Sequence, residues 1–357
     1  MAPTDKARPT LCLTALTALL AAAIVPSASH AAPVFVAGGY AFTNFDFPGA
    51  GTNAAAGTNA NGISNTGVAT GVSIDNAGNF ASFVREPNGT VTAVNIPTPG
   101  MAFGVNSAGN VVGTNGTNAV FVPNGGSAQT LTTPANAGSA FGINDHGNIV
   151  GQVGIGGTAG AGFFLTSQSG SGLISINAPL GSTSNVVNAQ GVNNNGQIVG
   201  FYLGNDGQVH GFMANTSSAI GSTLTGTGIA DPTITPVEPG ATFVFSQVLG
   251  VNDSGLAVGY YGDSTTSQHG YFYDPKTGKY TFLDDPSEGF NPAGVEVTQI
   301  TGINNLGEIS GFYSDASGVF HGFVAVPVPE PGSLTLMGFG LAALGFTYRR
   351  RRRHAAR

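Results

Sequence analysis

The chain predicts an all-β fold: a six-bladed β-propeller of four-stranded blades, closed by an N-terminal strand. Three observations predict it. A glycine frame with offsets 0, 5 and 9 occurs six times along the 357 residues. Short runs of β-branched and aromatic residues lie between turn signals around every copy, which is how strands read in a sequence. One last-strand segment stands alone before the first repeat, and the sixth repeat stops one strand short.

The frame is plainest at Gly191-Val-Asn-Asn-Asn-Gly-Gln-Ile-Val-Gly200, and returns at Gly62, Gly104, Gly142, Gly250 and Gly302. Asn193 at the first position and Gly196 at the fourth suit a type I turn closed by a left-handed glycine. The equivalent turns begin at Ser64, Asn106, Asn144, Asn252 and Asn304. A strand precedes each turn and a second follows it, as in Gln197 to Tyr202 around Gly200. A third strand opens on His210-Gly211-Phe212, His269-Gly270-Tyr271 or His321-Gly322-Phe323, with weaker versions in earlier repeats. A fourth strand ends in Asp or Asn, one residue, then Pro, as at Val94–Pro97, Ile176–Pro179 and Leu283–Pro286. Repeat four is interrupted by an insertion from Ser217 to Gly240.

Five complete units, one unit lacking its last strand, and the spare segment Tyr40–Pro48 together supply six blades. Closing the ring protects edges that an open array would expose. First-glycine spacings of 42, 38, 49, 59 and 52 residues bracket the blade length of about 40–50. A β-solenoid is the alternative, but its coils are shorter and leave the spare strand unexplained.

Both ends read as addresses. Lys6 and Arg8 precede an apolar run from Leu11 to Val25 and then Pro26-Ser-Ala-Ser-His-Ala31, the layout of a secretory signal peptide. Signal peptidase cleavage is expected after Ala31, giving residues 1–31 as leader and 32–326 as the repeat domain. Cys12, the one cysteine, would leave with the leader. At the other end Pro329-Glu330-Pro331 precedes apolar Leu334 to Tyr348 and arginines 349–353. Fifteen residues of helix reach about 22 Å, short of a full hydrocarbon core. This tail, residues 327–357, resembles the PEP-CTERM sorting signal. The resemblance implies an exosortase, cleavage near Pro329-Glu330-Pro331, and release or attachment outside a Gram-negative, exopolysaccharide-producing bacterium. Membrane contact is expected only through this C-terminal helix. The repeats resemble the HAF family of extracellular bacterial repeats, in Gly-Ile/Val-Asn-x-x-Gly-x-Ile-Val-Gly followed by His-Gly-Phe. That resemblance implies export and no defined reaction.

Between Ala32 and Pro331 the cations are Arg85, Lys276 and Lys279, against 17 acids, so 3 minus 17 gives −14. Such a body repels phosphate backbones and excludes nucleic-acid binding. His210, His269 and His321 share one repeat position, so they would lie apart on a ring, and a structural hydrogen-bonding role is expected. Gly191, Asn193, Gly196 and Gly200 are read as structural in the same way. Oxygen-rich turns such as Asn205-Asp206-Gly207 and Asp315 to Gly318 would allow weak calcium binding, though Asn, Asp and Gly also simply form turns. No other cofactor is expected. Among the first strands, taken as innermost, only Glu296 brings a charge near the axis. No Gly-x-Ser-x-Gly, phosphate loop or His-Glu-x-x-His occurs. A non-enzymatic scaffold or glycan-binding module of the cell surface or exopolysaccharide matrix is therefore expected. The alternative is a polysaccharide-active hydrolase or lyase working in the channel. Tyr260, Tyr261, Tyr271 and Tyr273 form the densest aromatic group, with at least half of it expected in the core.

Overall fold

The computed structural model describes residues 35–133, 138–154, 160–165, 172–182, 186–234, 240–289 and 294–328. They form an all-β structure of several sheets, with one short 3-10 turn at Thr216–Ser218.

Each repeat folds antiparallel from its first glycine outward. In repeat four Val187–Val192 pairs with Gln197–Leu203, which pairs with Val209–Asn215, which pairs with Thr227–Gly228. The six turns between first and second strands are built as their residues require. Gly67, Gly109, Gly147, Gly196, Gly255 and Gly307 take φ of 78, 77, 79, 74, 88 and 78°. That left-handed region costs a residue with a Cβ about 1 kcal/mol or more. Each of these glycines donates its N–H to the carbonyl of the first turn residue, from Gly109 to Asn106 at 2.9 Å to Gly196 to Asn193 at 3.2 Å.

A bulge recurs in every first strand at the residue just before the first glycine, as between Ala189 and Gly191 or Ile300 and Gly302, and likewise in the other four repeats. It bends the strand so that Gly200 lies against the backbone: a Cβ there would sit 2.0 Å from the Asn188 carbonyl oxygen and 2.8 Å from the Phe212 ring. Phe212 is its cross-strand partner, and the pairing repeats as Gly71 with Phe83, Gly151 with Phe163, Gly259 with Tyr271 and Gly311 with Phe323. These five rings are fully buried. The glycine therefore makes room for the ring of the His-Gly-Phe strand, an aromatic lying over a bare stretch of backbone.

The fourth strand of repeat three ends on Asn177, as the sequence pattern implies, but others stop short of it. In repeats one and five they end at Ala93 and Phe282, so Asn95-Ile-Pro97 and Asp284-Asp-Pro286 form the exit from the sheet. Proline has no N–H for a ladder. The insertion in repeat four is shared between sheets: Thr223–Thr225 adds parallel to Ile174–Asn177 of repeat three, and Thr227–Gly228 serves repeat four.

At the ends of the array, Tyr40–Phe45 pairs antiparallel with the last strand, Phe320–Pro327, from Tyr40 opposite Pro327 to Phe45 opposite Gly322. Phe35–Ala37, unforeseen in the sequence, folds back on Tyr40–Phe45 through Gly38 and Gly39. One parallel pairing, Phe320 with Gly57, joins this sheet to that of repeat one. Phe42 packs with Phe323, Ile300 and Phe272 in one buried cluster, and Val324 packs with Ile63 and Ala69 of repeat one.

Gly200→Ala is expected to lower unfolding free energy by about 3 kcal/mol through overpacking. Urea denaturation of the variant beside the parent checks this.

Candidate functional site

The first glycines form a belt. A Cβ on Gly62 would meet the Phe103 carbonyl at 2.6 Å, on Gly104 that of Phe141 at 2.7 Å, on Gly142 that of Gln190 at 2.5 Å, and on Gly191 that of Leu249 at 2.8 Å. A Cβ on Gly250 would stand 3.0 Å from the Gly302 Cα, and one on Gly302 would stand 3.0 Å from the Ile63 nitrogen. All six repeats thus line one narrow waist of about 70 Å³, where only glycine permits such close backbones.

Below the belt the turns are tied to one another. Asn193 Oδ1 accepts from the Asn195 and Gln197 N–H groups at 3.0 and 2.9 Å, closing its own turn. Its Nδ2 donates to the Asn252 carbonyl of the next repeat at 2.8 Å. Asn106 donates likewise to Asn144, Asn144 to Asn193, Asn252 to Asn304, and Asn304 to Ser64, at 2.9–3.2 Å. Ser64 occupies the position in repeat one. The amide accepts locally through its oxygen while its nitrogen, a separate donor, reaches across.

A second circuit lies one residue further on. The backbone N–H donates to the next repeat's side chain from Ser107 to Asp145, Asp145 to Asn194, Asn194 to Asp253, Asp253 to Asn305 and Asn305 to Asn65, each at 2.8–2.9 Å. Asn194 Nδ2 reaches both Asp145 and Asp253, at 3.4 and 3.0 Å. The sequence reading did not bring these two carboxylates together; their shared second turn position in repeats three and five was the available signal. Burial raises the Asp145 pKa, but bonds from Ser107, Asn65 and Asn194 outweigh it and hold the carboxyl below its usual range.

The opposite mouth, about 180 Å³, is lined by Asn61, Gln190, Gln247 and Gln299 with the rings of Phe103, Phe141, Phe201 and Phe312. Phe103 and Phe141 lie 4.9 Å apart, centroid to centroid. Among the described residues, Asp145 and Asp253 are the charged side chains lining the three cavities of this channel. Glu296 is not among those lining residues; its carbonyl accepts from the Gln268 N–H outside the first strand. Tyr260, Tyr261 and Tyr271 are buried, so the tyrosine group offers no broad ligand platform.

The three histidines lie at one station repeated away from the channel. His210 sits between Asp231 at 2.9 Å and Asp206 at 3.0 Å. His321 has Asp46 at 3.0 Å and Asp315 at 3.5 Å, and His269 has Asp284 at 3.0 Å and Asp263 at 3.9 Å. A tyrosine ring lies over each, Tyr202, Tyr313 and Tyr261 in turn. Asp206 and Asp315, drawn from the loops with calcium-like composition, thus face imidazoles. Among the described residues no group of three or more His, Cys, Asp or Glu is placed to hold a metal ion. Burial lowers His210, but Asp206 and Asp231 outweigh it and raise the pKa; Asp46 raises that of His321 against burial. A raised folded-state pKa gives stability that is fully present below about 6.5 and lost as pH rises through the folded value.

Ala31, Pro329, Glu330, Pro331 and the apolar run Leu334–Tyr348 lie outside the described residues. Among those described, no helix is long and apolar enough to cross a membrane.

Asn193→Ala is expected to cost about 1–3 kcal/mol, because it leaves a buried carbonyl of the next repeat without its donor; thermal unfolding measures it. Thermal stability is also expected to fall between pH 6 and pH 8. In His321→Gln that fall should be smaller, and calorimetry across this range reads the difference.

Comparison with curated protein sequences found no match. Among solved structures, the chain is similar to a gluconolactonase of Xanthomonas campestris (TM-score 0.48, 13% identity, 85% of this chain and 94% of that one). It is also similar to a fungal alcohol oxidase in complex with copper (0.42, 12%, 80% and 76%). An Aleuria aurantia lectin in complex with Fucα1-6GlcNAc gives 0.41, 11%, 79% and 93%. Likenesses this distant carry no inference about the chain's activity. The tail is different. Residues 327–353 match the PEP-CTERM protein-sorting motif, so the chain carries a sorting signal that points to an exported bacterial cell-surface protein handled by an exosortase.

Proposed function

We propose that residues 32–326 form a six-bladed β-propeller of HAF-type repeats, closed by the N-terminal strand, that acts without catalysis as a glycan-binding scaffold. Residues 1–31 serve as its signal peptide, and residues 327–357 as a short membrane helix with arginine stop, held until exosortase processing. The setting is the surface or exopolysaccharide matrix of a Gram-negative bacterium, and no cofactor takes part. The observation that carries the binding reading is the wide mouth: four neutral amides interleaved with phenyl rings. Amides donate to and accept from hydroxyls without charge, and ring faces cover the apolar side of a sugar. The ring reading is supported by bonds running from the last repeat to the first, Thr301 to the Ala60 carbonyl at 2.8 Å and Asn304 to Ser64 at 3.0 Å.

A hydrolase reading has one observation in its favour, the meeting of Asp145 and Asp253 on Asn194. General acid catalysis needs a carboxyl raised toward neutrality. Asp145 is instead held low by amide donors, which suits a turn tie.

The exported chain is expected to bind neutral oligosaccharides on a glycan array. Phe141→Ala with Gln190→Ala should weaken that binding about tenfold, roughly 1.4 kcal/mol. Turnover of exopolysaccharide that is lost in Asp145→Asn and Asp253→Asn would replace this reading with the hydrolase.

A further inference from the structure

The seam between the first and last repeats contains a cavity of about 150 Å³, which meets the channel lining only at Asn65. Arg85 lines it and is only 4% exposed. Its Nε has no hydrogen-bond partner among the described residues, and its Nη1 reaches only the Glu86 carbonyl, at a long 3.4 Å. The guanidinium lies 4.9 Å from the Phe45 ring centroid, which satisfies no N–H. No ion pair of Arg85 occurs among the described residues. A guanidinium is a five-donor fork matched to a carboxylate, and burying one without an anion is costly. Burial also depresses its pKa.

The rest of the wall limits what fits. Val324, Val326 and Leu306 give an apolar side, and Leu306 and Val326 are 68% and 39% exposed, so the cavity opens to solvent there. Thr43 contributes a hydroxyl, and Glu308 a carboxylate that accepts from Asn304 Nδ2 at 2.6 Å. One guanidinium offsets the charge of a monoanion, whereas a phosphate dianion would leave a second negative charge facing Glu308. Glu308 and Thr43 in turn call for hydroxyl donors on the ligand.

We propose that this seam cavity is a binding site for a small hydroxylated carboxylate of the uronate class, its carboxylate held by the Arg85 fork and a hydroxyl donated to Glu308. The site shares no residue with the wide mouth and does not rest on the neutral-glycan reading.

Titration calorimetry and thermal shift of the full chain with sodium glucuronate, glucose and glucose 6-phosphate at matched ionic strength test it. Glucuronate alone is expected to bind and to raise the melting temperature. Arg85→Met should weaken glucuronate at least tenfold while leaving the ligand-free melting temperature unchanged or higher, since an apolar side chain replaces an unpaired buried charge. Arg85→Lys should not restore binding, because it lacks the fork. If Arg85→Met does not fold, the Arg85 Nε–H resonance of the parent chain should still shift on adding glucuronate and stay still with glucose. No glucuronate response, an equal response to glucose or glucose 6-phosphate, or a response that survives Arg85→Met would each overturn the proposal.

Discussion

Everything around the glycine belt depends on an amide that works in two directions at once. The side-chain oxygen of Asn193 closes its own turn, while its nitrogen supplies a carbonyl in the next repeat. Aspartate would keep the first bond and lose the second; serine is too short to cross. The relay fixes the spacing between neighbouring turns. That spacing brings the first glycines to within 2.5–3.0 Å of a neighbour's backbone, measured from where a Cβ would stand. Amide and glycine are thus parts of one constraint: the amide sets how near the turns come, and the glycine tolerates it. Buried networks of this kind are stiff when fully satisfied.

That constraint also shapes the chemistry open to the channel. Turn residues are committed to bonding one another, so Asp145 and Asp253 have their oxygens engaged by backbone and amide N–H groups. The waist is too narrow for side chains. What remains is the wide mouth, where neutral amides and phenyl rings meet. Apart from Asp145 and Asp253, the charged side chains among the described residues lie outside the channel, at the histidine stations and the seam among other places.

Much of this was legible in the sequence, because the glycine frame, the turn asparagines and the His-Gly-Phe strands each follow from a local rule. Gly196 needs a left-handed φ and Asn193 a turn, whatever lies around them. The spare segment at Tyr40 could be matched to a missing strand by counting. Contacts between repeats were not legible. Nothing in the spacing says that Asn194 reaches two aspartates, that Gly200 yields space to Phe212, or that His321 meets Asp46 across 275 residues. Arg85 looked like one of three scattered cations until the seam enclosed it. At least half of the tyrosine group was expected in the core, and Tyr260, Tyr261 and Tyr271 are buried, but which members would be covered was not legible, since that depends on which sheet covers which.

The pairing of Tyr40–Phe45 with Phe320–Pro327 has a consequence for how the chain comes to be folded. Tyr40–Phe45 precedes the six repeats and its partner follows them, so one of its edges is met early by Phe35–Ala37 while the other waits unpaired until the sheets between are synthesised. Bringing such distant segments together has an entropic cost that grows only slowly with the length between them. The delay is therefore one of order more than of energy. A chain interrupted before residue 320 would carry an open edge at each end, ready to pair with a neighbouring molecule. Export of the chain in an unfolded form would let both ends arrive in the same compartment before either edge is exposed for long.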